Sequence, residues 1–97
     1  MAQLSGKVAL VTGASSGLGA AVAQLFAQRG ASVFGIARDT ARMTAVFESV
    51  PGGAFAAADI TGAQACRDAV DQCVQRFGRL DVLVNAAGFH QMRHTAA

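Results

Sequence analysis

Short runs of consecutive apolar residues alternate along this chain with stretches in which apolar residues recur every three to four positions. Val8 to Val11 is an unbroken apolar run and reads as a buried strand. Leu18, Val22, Leu25 and Phe26 follow at i, i+4, i+7 and i+8, which predicts a helix with an apolar stripe. Gly30, after Gln28-Arg29, stops that helix. Ser32 to Ala37 is a second strand. Thr40 is placed to cap a short helix carrying Met43, Val46, Phe47 and Val50, which Pro51-Gly52-Gly53 breaks. Ala54 to Ala58 is a third strand, weak in propensity because it is mostly alanine. A last helical stripe runs through Ala63, Cys66, Val70, Cys73, Val74 and Phe77 to Gly78, and Leu80 to Val84 is a fourth strand.

The order is β-α-β-α-β-α-β. Strands alternating with helices over short connections imply a parallel sheet covered on both faces. Near-continuous apolar strands fit burial from both sides. The expected fold is α/β, the N-terminal part of a Rossmann-type doubly wound parallel sheet with strand order 3-2-1-4. Ligands of such sheets bind at the carboxyl ends of the strands, here where the connection after strand 1 meets the segment after Val84.

That first connection carries the strongest chemical signal. Gly13, Gly17 and Gly19 lie in a turn that leads from strand 1 into a helix. The first amides of a helix have no partner inside it, and the helix dipole adds partial positive charge there. A glycine-rich helix entrance lets the backbone approach a phosphate closely. The spacing G-x-x-x-G-x-G differs from G-x-G-x-x-G and lacks the Lys-Ser/Thr ending of a P-loop. An ordinary tight βα turn is the competing reading.

Composition narrows the classes. Hydrophobic residues make up 53% and charged residues 14%, a globular balance that excludes disorder. A net charge of +2, with Arg29, Arg38, Arg42, Arg67, Arg76, Arg79 and Arg93 scattered as solvated surface, gives no nucleic-acid footprint. No apolar run reaches the roughly eighteen residues of a membrane span, and no leader pattern opens the chain, so the expectation is a cytoplasmic protein. Cys66 and Cys73 would stand about 10.5 Å apart on one helix, too far for a disulfide, and are expected as buried free thiols. His90 and His94 have a metal-compatible spacing without supporting ligands, and no metal is expected.

Thr12-Gly13-x-x-x-Gly17-x-Gly19 and Asn85-Ala86-Ala87-Gly88, with Asp59 after strand 3 and the opening Leu-x-Gly-Lys-Val-Ala-Leu-Val-Thr-Gly, resemble the short-chain dehydrogenases/reductases across essentially the whole chain. Ala86 stands where that family usually has a second Asn. The resemblance implies that Gly13, Ser15, Ser16, Gly17, Leu18 and Gly19 line a dinucleotide's pyrophosphate and adenosine ribose. It implies that Asp59 and the backbone of Ile60 hold the adenine edge. Asn85, Ala86 and Gly88 would lie beside the cofactor, and Thr12 would tether the turn to strand 4.

Dinucleotide sites that take NAD place a carboxylate at the end of strand 2. Register puts Ala37 there. Arg38 follows, and its planar donor fork suits a 2′-phosphate. Asp39, one residue late, either pairs with Arg38 or reaches a ribose. The expected cofactor is therefore NADP rather than NAD.

The family's chemistry also uses a Tyr-x-x-x-Lys pair. This chain has no tyrosine, and its only lysine is Lys7. The resemblance thus implies that residues 1–97 are a partial NAD(P)-binding Rossmann domain, truncated before the catalytic half and inactive alone. The full-length protein would be an alcohol- or carbonyl-transforming oxidoreductase and a homo-oligomer. A catalytically silent dinucleotide-binding module and a non-functional fragment are the alternatives.

Overall fold

The computed structural model describes residues 3–86. Their elements are β1 (Val8–Thr12), α1 (Gly17–Gln28), β2 (Ser32–Ala37), α2 (Thr40–Phe47), β3 (Ala54–Ala57), α3 (Gly62–Phe77) and β4 (Val82–Asn85). All strand pairs are parallel, and the sheet order is β3-β2-β1-β4. This is the Rossmann-type arrangement expected from the alternating periodicities.

Strand side chains alternate between faces, and the two faces build two cores. Val11 and Val33 meet Ala23 of α1 and Met43 of α2 on one side. Leu10, Phe34 and Ile36 meet Ala69 and Cys73 of α3 on the other. All five residues of β1 are buried, because this central strand is covered twice. Burial also raises the Cys73 thiol pKa.

Several sequence expectations shift at the level of single residues. Asp39, not Thr40, caps α2: its Oδ1 accepts from the Arg42 amide at 3.1 Å. A short carboxylate just before the first turn reaches that amide, whereas Thr40 is already inside the helix. The buried side of α1 is the small-residue line Gly19 and Ala23, while Leu18 is 52% and Leu25 43% exposed. Close approach of α1 to the sheet favours small residues over leucines. Val74 on α3 is likewise exposed. Cys66 is exposed rather than buried, since it lies near the open end of α3, and both thiols are free.

Leu80 and Asp81 precede β4 instead of belonging to it. Asp81 anchors the strand's start. Its Oδ2 accepts from the Val8 amide at 2.8 Å, its own amide donates to the Val8 carbonyl at 2.9 Å, and Arg79 bridges its Oδ1 at 2.7 Å. The Arg79 guanidinium first, and the Val8 N–H second, hold the Asp81 carboxyl below the usual carboxylate range.

Among the described residues no helix is long and apolar enough to cross a membrane, and no group of three His, Cys, Asp or Glu is placed to hold a metal. His90 and His94 lie outside the described residues.

Candidate functional site

The site is built where β1 ends. Gly13 turns the chain with φ +67°, a conformation that side-chain-bearing residues rarely adopt. Its amide donates to the Ile36 carbonyl at 2.7 Å, which ties the turn to β2. Ser16 then caps α1 and fastens the turn at once. Its hydroxyl donates to the Gly13 carbonyl at 2.7 Å and accepts from the Gly19 amide at 3.1 Å. The Ala20 amide is taken by the Ser16 carbonyl. Of the first helical amides, those of Gly17 and Leu18 therefore have no protein acceptor among the described residues.

The glycines have separate physical reasons. A Cβ on Gly19 would lie 2.0 Å from the Gly13 carbonyl oxygen, so Gly19 lets the helix close onto its own turn. A Cβ on Gly17 would meet nothing within 4 Å, so this residue faces open space at the helix mouth.

β4 delivers Asn85 to the same place. Thr12 pairs with Asn85 in the β1–β4 register. The Thr12 hydroxyl, 5% exposed, donates to Asn85 Oδ1 at 2.9 Å. The Ala86 amide continues the ladder onto the Thr12 carbonyl at 3.2 Å. Gly88 lies outside the described residues.

A groove of about 670 Å³ crosses the carboxyl ends of all four strands. Gly13, Ser15 and Ser16 form its floor beside β1, and Asn85 closes it at β4. Arg38 lines it after β2; Asp59 and Ile60 line it after β3. These seven sequence-chosen residues are thus brought to one cleft. Gly17, Leu18, Gly19 and Ala86 stand at its margin without lining it.

Asp59 is exposed and accepts no side-chain hydrogen bond among the described residues; Thr61, two positions later, is the residue that precedes α3. Asp39 has its carboxylate committed to the α2 cap, and no ion pair joins it to Arg38 among the described residues. Several lining residues were not chosen by sequence reading, Arg42 and Cys66 among them. Arg42 faces the groove from the first turn of α2, and Cys66 does so from α3. The signal for Arg42 was its distance of one helical turn from Arg38. It becomes usable only once α2 is known to start at the groove. One wall thus carries two arginines with Asp39 between them and the other carries Asp59, with the Gly17 and Leu18 amides near the floor. That arrangement suits a ligand with anionic groups at one side and a polar heterocycle at the other.

Comparison with known proteins agrees with this fold. The family model described as short chain dehydrogenase matches residues 7–97. The L-fucose dehydrogenase of Bos taurus is 42% identical over 86 residues, covering 89% of this chain and 32% of that protein. An uncharacterized oxidoreductase of Methylorubrum extorquens is 47% identical over 96 residues, covering 94% of this chain and 39% of its own length. Among solved structures, the apo-form glucose dehydrogenase of Caenorhabditis elegans superposes with TM-score 0.79 at 31% identity, over 86% of this chain and 38% of that one. The chain spans about a third of the length of the curated relatives it matches.

Proposed function

Because the chain belongs to the short-chain dehydrogenase family, we propose that it is the cofactor-binding portion of an NADP-dependent oxidoreductase acting on an alcohol or carbonyl. The residues fit a dinucleotide. Gly17 leaves the helix mouth open to a pyrophosphate, where the Gly17 and Leu18 amides are available as donors. Gly13, Ser15 and Ser16 shape the floor beneath it. Asp59, with the backbone of Ile60, meets an adenine, whose exocyclic amine needs an acceptor. Asn85, fixed by Thr12, stands on the side from which the cofactor leads toward the substrate. When bound, the dinucleotide supplies or accepts the hydride.

The observation that carries the choice of NADP is the pairing of Arg38 with a neutral β2 terminus. Ala37 ends β2, Arg38 lines the groove, and the neighbouring Asp39 spends its carboxylate on a backbone amide. A ribose 2′-OH would find no carboxylate at the end of β2, whereas a 2′-phosphate finds a planar donor fork. These residues bind and orient the cofactor. They carry no counterpart of the Tyr-x-x-x-Lys pair, so no catalytic step is assigned to them.

Titration of the chain with NADP and NAD by calorimetry tests the reading. NADP is expected to bind tighter, and Arg38→Ala to weaken NADP by about tenfold or more while leaving NAD unchanged. Equal or tighter binding of NAD by the unaltered chain overturns it.

A further inference from the structure

We infer that Gly35 is a positioning residue for the dinucleotide's phosphates: its missing side chain sets how deep Ala14, and with it the turn at the α1 mouth, sits on the sheet. The inference rests on the dinucleotide reading and holds for NADP and NAD alike. Gly35 lies in the interior of β2, where a glycine weakens the strand and marks a close approach by another part of the chain. It pairs with Val11 on one side and Phe55 on the other. Alternation along β2 puts it on the face of Val33 and Ala37, which belong to the core shared with α1 and α2. A Cβ at this position would stand 3.0 Å from the Ala14 Cβ and 2.5 Å from Phe47 Cζ. Both separations are shorter than the about 3.5–4.0 Å of an ordinary carbon–carbon contact.

The two neighbours differ in what yielding does. Phe47 is half-buried and ends α2, with its ring 5.2 Å from that of Phe55. A shift of that ring stays at the end of α2 remote from the groove, which Asp39 and Arg42 line at the helix start. Ala14 is fully buried and held from two sides. On the sheet side, its amide and that of Gly13 donate to the Ile36 carbonyl at 3.3 and 2.7 Å. On the helix side, a Cβ on Gly19 would stand 3.0 Å from the Ala14 Cα. Ala14 is thus seated between two glycines, Gly35 on the strand and Gly19 on the helix. A methyl group on Gly35 pushes Ala14 toward α1, and Ser15, Ser16 and the Gly17 and Leu18 amides follow it in the chain. Donors moved out of line no longer converge on one phosphate.

ADP and adenosine differ by the phosphates that the α1 mouth would meet, and they serve as probes. Each is titrated by calorimetry into the full chain and into Gly35→Ala. The same change is also made in two backgrounds. Phe47→Leu removes the Cζ atom and with it the 2.5 Å contact. Ala14→Gly removes the methyl that Gly35→Ala strikes. ADP is expected to bind the unaltered chain about tenfold tighter than adenosine. Gly35→Ala is expected to weaken ADP about fivefold and leave adenosine unchanged. That loss should persist in the Phe47→Leu background and vanish in the Ala14→Gly background. Where Gly35→Ala alone fails to fold, the comparison within Phe47→Leu, free of the closest contact, decides. Undiminished ADP binding, or an equal loss of both probes, overturns the inference. So does a loss that Phe47→Leu relieves or that Ala14→Gly fails to relieve, because Gly35 then only makes room for a ring. In each of these cases a preference of the unaltered chain for ADP leaves the dinucleotide reading standing. An unaltered chain that binds ADP no tighter than adenosine overturns that reading, and the inference with it.

Discussion

Ser16 does two jobs with one hydroxyl: it donates to the Gly13 carbonyl and accepts from the Gly19 amide. The turn and the helix entrance are therefore one rigid unit, and the two glycines inside it should respond oppositely to a methyl group. Gly19→Ala places a Cβ 2.0 Å from a backbone oxygen that cannot swing aside. A loss of about 2–4 kcal/mol is expected by urea unfolding, as for an overpacked core position. Gly17→Ala meets nothing within 4 Å and gains helix propensity, so stability should hold or rise by up to about 1 kcal/mol. Dinucleotide binding by Gly17→Ala should nevertheless fall, because the methyl occupies the helix mouth. Matching losses of stability in both variants would refute this division. The motif's three glycines were visible in the sequence. Which one packs and which one faces a ligand was not, because that depends on the distance between a helix and a carbonyl six residues earlier.

At the level of elements, the strands and helices begin and end close to where periodicity and turn residues put them, and β2 matches residue for residue. The departures occur where a side chain competes for a backbone group. Asp39 takes the Arg42 amide and fixes the start of α2; Asp81 takes the Val8 amide and so stands outside β4. The second contact has a measurable consequence. Asp81 is held below its ordinary pKa, so its charged form is favoured by folding. Its stabilising contribution is complete above the unfolded carboxylate value, about 4, and disappears as pH falls through the lower folded value. Asp81→Asn should therefore lower stability at neutral pH while flattening its decline in acid. Parallel urea titrations from pH 7 to pH 2 check this, and an unchanged acid slope would count against the anchor.

Across the whole molecule, the middle of the sheet is covered on both faces and β4 lies at one end of the strand order among the described residues. β1 and β2 are sandwiched between α1, α2 and α3, whereas β4 pairs only with β1 among the described residues and its Leu83 is 59% exposed. An apolar edge strand is a template for further pairing. The 97-residue chain in isolation is expected to associate as its concentration rises, seen by sedimentation velocity. Leu83→Lys should shift it toward monomer without loss of helical signal. A monomer at all concentrations would show that the edge is protected.

The sequence by itself determined the class of fold, the sheet order and the neighbourhood of the groove, because hydrophobic periodicity and glycine position are local properties that survive without coordinates. It also singled out Arg38, Asp59 and Asn85, which the folded chain gathers at one end of the sheet. Only tertiary structure decided that Leu18 faces outward, that Cys66 is exposed and that Arg42 joins Arg38 on one wall. Those outcomes depend on how closely a helix sits on the sheet and which turn of it overhangs the strand ends. Such distances are set by packing between segments remote in the chain, and no single stretch of residues encodes them.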